Sequence, residues 1–508
     1  MTTIGIELAM NKRRIFINAI MSIVQIIINI GVLFLLYRYL IITIGVKRLG
    51  MWSLVLATAS VVSIANFGFS GSVVKFVAKY VALNQYVTVS RLVQTAAIST
   101  GIFLGFVSLA VYPFAGFILN LAMPTVNFEE GLSILPHALL FFWLNLIGTV
   151  FQSGLDGYQL IARRNIVLIV AALCLLFLSF LLVPVYGLPG LAYSYIAQAV
   201  IIMIGFYLML KRQLPILPLF PYQWDYKLFR EMLGYGLNFQ VISISEKFID
   251  PVTKSLLTKF GGLAMTGFYD MASRMILNLR WIILSANQVL VPTIADLQER
   301  DPKIIQTVYY DSYRLVFFIT IPFFTAIILF TPFISKIWIG YYESTFISFS
   351  ILLAIGCFVN ILSMPAYIVN LGIGTLRWNK IGYLTIVMLN LLIGIVLGSV
   401  FGGIAVVIAY VFSLIIGSLI IFLAYHSVNK LPLSKVFLRE DIGIVLSSIG
   451  SLFFFMMIYF LFIHDKFDTL INSIVVLSFL AIMTILVWIH PMRKRLTGWI
   501  ILEFLKTK

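Results

Sequence analysis

Arg38, Glu246, Lys247, Asp250, Lys254, Asp270, Arg274 and Arg280 are the ionisable residues whose spacing most invites chemistry. Glu246, Asp250 and Lys254 recur every fourth residue and Lys247 lies seven before Lys254, so a helix through them carries one charged stripe. Asp270 and Arg274 form an i,i+4 pair with the acid first, the favourable order on a helix, and Arg280 follows. The cations Lys247, Lys254, Arg274 and Arg280, with Arg38 between Tyr37 and Tyr39, are suited to holding a phosphate or pyrophosphate. The acids Glu246, Asp250 and Asp270 are candidates for a coupling proton or sodium ion. The competing reading is that these groups neutralise one another within the fold or reach toward an interface. Pro251 removes one backbone hydrogen bond from the first stretch and is expected to kink it.

What must position these groups follows from composition. Of 508 residues, 61% are hydrophobic and 11% charged, with a mean hydropathy of +1.06, so the bilayer has to serve as solvent and soluble catalytic folds are set aside. Apolar runs long enough to cross fall near 15–44, 50–70, 92–120, 135–156, 166–185, 188–210, 313–336, 346–371, 381–401, 403–426, 442–463 and 470–490. Two charged stretches of similar length, near 235–258 and 263–294, carry the stripe and the pair above. The expectation is an all-α polytopic membrane protein of about fourteen transmembrane helices, since lipid-exposed backbone must satisfy its own hydrogen bonds. A charge within such a span is costly, so the charged residues are expected to face partners or a water-filled cavity.

The net charge of +16 reads as topology rather than as nucleic-acid binding. With the N-terminus inside, about 25 of the 35 Lys and Arg fall on cytoplasmic segments, against Lys47, Arg48, Lys259, Lys336 and Lys466 outside. That bias puts both termini in the cytoplasm. Omitting the two charged stretches leaves twelve spans with the same parity. Lys12, Arg13 and Arg14 precede a run long enough to span, so it reads as the first transmembrane helix rather than a cleavable signal. Cys174 and Cys357 sit far apart within apolar runs and read as buried thiols; His137, His426, His464 and His490 lack metal-ligand spacing. The chain shows no P-loop, no catalytic triad spacing and no soluble nucleotide-binding domain, so no cofactor and no enzymatic reaction is expected.

The longest polar connector, with Pro215, Pro218 and Pro221, divides the chain. Expected are a six-helix lobe at 1–210, a cytoplasmic linker at 211–233, a second six-helix lobe at 234–428, and two further helices with a basic tail at 429–508. The lobes look duplicated. Arg163-Arg164-Asn165 matches Arg377-Trp378-Asn379, Gly190-Leu191-Ala192 matches Gly403-Ile404-Ala405, Gly50-Met51-Trp52 matches Gly267-Phe268-Tyr269, and Pro113-Phe114 matches Pro332-Phe333, all at offsets of 213–219. An even number of spans per repeat makes the lobes parallel, about an axis along the membrane normal, with a cationic cavity expected between them. Gly68-Phe69-Ser70-Gly71 and Gly372-Ile373-Gly374 are expected to be close helix contacts or hinges. Lys75, Lys79 and Arg91 suit anionic headgroups, and Arg493-Lys494-Arg495 before Trp499-Ile500-Ile501 suits an interfacial anchor.

Lys47-Arg48-Leu49-Gly50-Met51-Trp52-Ser53-Leu54, then Asn66-Phe67-Gly68-Phe69-Ser70 and Lys75-Phe76-Val77-Ala78, resembles the first hairpin of the O-antigen and polysaccharide flippases. These belong to the multidrug/oligosaccharidyl-lipid/polysaccharide exporter superfamily. Asn66 departs from the pattern, where an acidic residue is common, so no charge-dependent role is carried over to it. The resemblance implies two pseudo-symmetric six-helix bundles around a central cavity, with alternating access. Two extra helices are added in some members, as in the peptidoglycan-precursor flippases. It further implies a bacterial inner-membrane protein that moves an undecaprenyl-pyrophosphate-linked oligosaccharide outward for surface polysaccharide such as lipopolysaccharide O-antigen. Membrane lipids, a glycan polymerase and glycosyltransferases would be its partners, and nucleic acid would not. Three other functions stay open: a cation-coupled multidrug exporter, a membrane polysaccharide polymerase or glycosyltransferase, and a non-transporting scaffold for glycan assembly.

Overall fold

In the computed structural model the described backbone covers residues 3–66, 69–236, 240–288, 290–436, 441–462 and 469–493, and it is helical with no strand. The helices are α1 (Thr3–Thr43), α2 (Gly45–Ala59), α3 (Phe69–Ala82), α4 (Tyr86–Ala122), α5 (Thr125–Gly157), α6 (Ile161–Tyr186), α7 (Leu188–Gln213), α8 (Tyr226–Gly236) and α9 (Gln240–Gln288). They continue as α10 (Leu290–Arg300), α11 (Pro302–Trp338), α12 (Ser344–Leu362), α13 (Met364–Ile373), α14 (Arg377–Phe401), α15 (Gly403–Val428), α16 (Ile442–Phe462) and α17 (Thr469–Ile489).

Among the described residues nine helices are long and apolar enough to cross a membrane, or ten if the bent pair Gly45–Ile64 and Phe69–Ala82 is one broken span rather than a re-entrant loop. Among the described residues, each of the fourteen stretches read from the sequence falls largely on helix, and the many long apolar helices make this a multi-pass membrane protein. The charged stretches are real helices too. They form the two halves of α9, which breaks at Gly262 (φ 82°, ψ 172°). The chain passes Pro251 without such a break, so the main interruption comes eleven residues after the one the sequence suggested. A proline can stay inside a span where its neighbours satisfy the freed backbone. Three short helices, α8, α10 and α13, were not legible as separate elements. The span at 346–371 is divided between α12 and α13 at Ser363, with a proline in the first turn of α13.

The chain forms two compact units, Met1–Gly267 and Phe268–Lys508. In the first, the core joins Val89, Leu92, Val93 and Ala96 of α4 to Val150, Phe151 and Leu155 of α5 and to Phe206 and Leu210 of α7. Leu228 and Met232 of α8 reach the same core, which leaves the charged residues of that helix outward. In the second, α14 lies along α15, α12 fits against α11 and α15, and α16 and α17 pack on α11.

The internal duplication shows in how each unit packs within itself. A Cβ on Gly157 would meet Val77 at 2.6 Å and the Val74 carbonyl oxygen at 3.1 Å. A Cβ on Gly372 would meet Ile294 at 2.7 Å and the Val291 carbonyl oxygen at 3.1 Å, so the same contact recurs about 215–217 residues on. Asn165 and Asn379 are both fully buried, donating to Ser22 Oγ (2.9 Å) and to the Tyr367 carbonyl (3.1 Å). Gly45, the first residue of α2, and Gly262, at the start of the second half of α9, adopt φ of 81° and 82°, a region that only glycine enters without strain. Gly157→Ala and Gly372→Ala are each expected to lose about 1–3 kcal/mol of stability through overpacking. Gly450→Ala, with nothing within 4 Å, should not. Thermal unfolding of the three variants in detergent checks this, and equal midpoints would defeat the packing argument.

Candidate functional site

The first half of α9 carries its charges from exposed to buried. Glu246 and Lys247 are exposed, the Asp250 side chain is 46% exposed, and that of Lys254 only 5%. Lys254 Nζ lies 2.8 Å from Asp250 Oδ2, one turn earlier on the same helix. A buried ammonium needs such a partner, because desolvation otherwise favours its neutral form. The half-exposed Asp250 leaves the pair open on its carboxylate side. At the turn into the second half of α9, the hydroxyls of Thr258 and Thr266 share a hydrogen bond of 2.8 Å across Gly262. Arg38 is exposed on α1, flanked by buried Tyr37 and half-buried Tyr39.

In the second unit Asp270 is 1% exposed and accepts a hydrogen bond from Arg274 Nε at 3.0 Å. Arg274 keeps 29% of its side chain exposed, so its guanidinium satisfies the buried acid while remaining reachable. Arg280, six residues on, is partly buried. The structure thus brings together Asp250 with Lys254 and Asp270 with Arg274, the i,i+4 couples of the sequence. Glu246 and Lys247 stand outside both couples.

Several polar arrangements had no sequence signal. His426 is buried, with Nε2 2.7 Å from Tyr309 Oη and Nδ1 3.1 Å from the Leu431 carbonyl oxygen, a satisfied core histidine. Asp441 and His490 are buried together, Oδ1 to Nε2 3.2 Å, within ion-pairing distance though not aligned as a hydrogen bond. That contact ties the start of α16 to the end of α17, which no spacing rule links. Gly372 is a close contact, whereas Gly71 has nothing within 4 Å. Phe67, Gly68, Arg439, His464, Lys466 and the tail from Lys494 through Trp499, Ile500 and Ile501 lie outside the described residues, as do the side chains of Lys12, Arg13, Arg14 and Asn66.

Comparison with known proteins adds identity to this geometry. The family described as "Polysaccharide biosynthesis protein" matches residues 44–342. The fold resembles that of the lipid II flippase MurJ in an inward closed conformation, at a TM-score of 0.64 and 14% identity, over 92% of this chain and 98% of that one. A MATE transporter of Vibrio cholerae, VcmN, aligns at 0.57 and 15% identity, over 84% and 99%. A transporter of the MOP superfamily from Pyrococcus furiosus, described as having a binding pocket of reversed polarity, aligns at 0.57 and 14%, over 81% and 95%. At these identities the likeness speaks to the fold. No curated protein matches in sequence.

Proposed function

This chain belongs to the polysaccharide biosynthesis protein family, and on that premise we propose that it flips a polyprenyl-(pyro)phosphate-linked oligosaccharide from the cytoplasmic to the outer leaflet of a bacterial inner membrane. The observation that carries the reading is Lys254, a cation nine-tenths buried in a membrane helix and partnered by an acid that is half open. Such an arrangement keeps a buried positive charge in the helix, which an anionic ligand would take over by displacing the half-exposed Asp250 carboxylate. Arg274 and Arg280, on the other half of α9, and Lys247 and Arg38 supply the remaining positive charge, and polar side chains would receive the sugar. The prenyl chain stays in lipid while the bound headgroup is exposed first to the inner and then to the outer side. With a cell interior that is negative, the membrane potential favours export of an anion by about 2.3 kcal/mol per charge per 100 mV, so an ion gradient is not required. The +16 net charge also runs against a site for cationic drugs.

Proteoliposomes containing a fluorescent polyprenyl-pyrophosphate glycan, read by headgroup accessibility to an external quencher, test the proposal. Wild-type protein should expose the headgroup, and Lys254→Gln should slow this by at least roughly tenfold, one charge-assisted contact being worth about 1.5–3 kcal/mol. Lys435→Gln, at an exposed loop position, should leave the rate unchanged. Wild-type rates no higher than those of empty vesicles, or full activity in Lys254→Gln, would refute it.

A further inference from the structure

Two adjoining hollows lie in the first unit, away from the charges of α9. Ala97, Gly101 and Gly105 recur every fourth residue on α4 and leave a smooth face. Between that face, Trp143 and Phe151 of α5, and Met203 and Tyr207 of α7 lies an apolar hollow of about 1140 Å³. A second apolar hollow of about 710 Å³ is walled by Phe69, Phe103, Phe229 and Leu233. The two hollows share Ile98, Ile102 and Phe106, one ridge of α4, and they share Trp224.

The chain after α7 is fixed across one end of this double hollow. Gln94 Oε1, buried in α4, accepts from the backbone N–H of Tyr222 (3.2 Å) and Gln223 (3.1 Å). Thr95 Oγ1 accepts from Asp225 N–H at 3.1 Å, and Tyr207 Oη donates to the Pro218 carbonyl at 2.7 Å. Trp224 Nε1 donates to Ser99 Oγ (2.9 Å), and Trp143 Nε1 donates to the Gly101 carbonyl (2.8 Å), so both indoles turn their polar edge to the protein and an apolar face to the hollow. The segment is thus held rigidly, yet Phe220 remains 82% exposed and Tyr222 71%. Core packing does not account for aromatic rings presented this way, whereas the headgroup level of a bilayer does.

The same end is positively charged. Arg91 precedes Gln94 on α4, and Lys227 and Arg230 stand on the outer face of α8, all exposed. Nearby acids are engaged: Asp225 Oδ1 caps α8 by accepting from Lys227 N–H (2.8 Å), and Glu231 meets Lys79 (3.4 Å) and Tyr80 (3.2 Å). Among the described residues, Arg91, Lys227 and Arg230 take part in no ion pair.

We propose that this double hollow binds one anionic two-chain glycerophospholipid, with a chain on each side of the Ile98–Ile102–Phe106 ridge and its phosphate at Arg91, Lys227 and Arg230. Two hollows divided by one ridge fit a forked lipid better than a single prenyl chain, and the surrounding charge selects an anionic head. The site is independent of the proposed flipping reaction, since it uses none of the α9 charges.

Native mass spectrometry of the detergent-purified full chain, incubated with phosphatidylglycerol and phosphatidylcholine of identical chains, tests this. Wild type should retain phosphatidylglycerol over phosphatidylcholine by at least roughly tenfold, a factor that two basic contacts already exceed. The double variant Arg91→Ala, Arg230→Ala should bind the two lipids about equally. The double variant Gly101→Leu, Gly105→Leu should lose both, because a Cβ at these positions has only ordinary contacts of 3.7 and 3.6 Å and the rest of each leucine enters the hollow. If that variant does not fold, Trp224→Ala takes its place and should lose at least half of the retained phosphatidylglycerol. No headgroup preference in wild type, or unchanged retention in the hollow-filling variant, overturns the proposal. So does one-for-one displacement of phosphatidylglycerol by a polyprenyl phosphate.

Discussion

Adding a single methyl group at Gly50 is expected to lower the thermal midpoint of the protein by about 3 °C, corresponding to roughly 3 kcal/mol. The Cβ of an alanine there would overlap the carbonyl oxygen of Leu263 and come within 2.8 Å of the Gly267 amide nitrogen. From the other side, a Cβ on Gly267 would lie 2.8 Å from the Val46 side chain and 3.2 Å from the Gly50 nitrogen. Two helix backbones touch here through glycine on both faces, and neither can rotate a side chain away. The cost therefore exceeds that of Gly157→Ala, where the first obstacle is a valine methyl group that can shift. Gly71→Ala is the matched control: it sits in α3 with nothing within 4 Å and should gain a few tenths of a kcal/mol from helix propensity. Intrinsic fluorescence during heating reads all three, and a Gly50→Ala midpoint within a degree of wild type would remove the contact from the account.

The second large effect concerns Asp270. Asp270→Ala is expected to cost about 3–5 kcal/mol, because it strips the Arg274 guanidinium of a carboxylate that is 99% buried. Replacing both partners, Asp270→Ala with Arg274→Met, should restore most of that loss, with a coupling energy above about 2 kcal/mol, since an apolar pair of similar size avoids the desolvation of either charge. Headgroup translocation should nevertheless stay abolished in the double variant. Recovered stability without recovered transport assigns Arg274 to the substrate as well as to Asp270. Recovery of both makes the pair purely structural and confines the phosphate-binding residues to the half of α9 that holds Lys254. No recovery of stability would show that the coupling between the two side chains has been overestimated.

The features legible in the sequence were those governed by local rules. Fourteen apolar or charged stretches of span length became helices because lipid leaves the backbone no alternative, and the i,i+4 couples at 250/254 and 270/274 formed as the helical period requires. The internal repeat was legible because it encodes fit. The matched asparagines 165 and 379 are both buried hydrogen-bonding groups, and the matched glycines 50 and 267 face each other. What was not legible depended on tertiary placement. Nothing in the string around Pro251 and Gly262 tells that the proline is absorbed while the glycine turns the chain, because that depends on who satisfies the freed backbone groups. The polar residues Gln94, Thr95 and Ser99 look like routine tolerance in a transmembrane helix, and their role appears only when residues 222–225 are laid across them. Asp441 and His490, 49 positions apart, meet only because α16 and α17 return antiparallel.

The lengths of α4 and α11 carry one more consequence. Each has 37 residues, which at 1.5 Å per residue is about 55 Å, against a hydrocarbon layer of about 30 Å. Either helix therefore stands well clear of the apolar layer, and the part of α4 before Pro113 does so as a proline-free rod continuous with its membrane portion. A rod of this kind is a lever: a tilt of about 10° at mid-bilayer moves a point some 25 Å away by roughly 4 Å. Spectroscopic labels at the solvated ends, such as the exposed Val87 of α4, would magnify rearrangements too small to follow at the buried residues themselves.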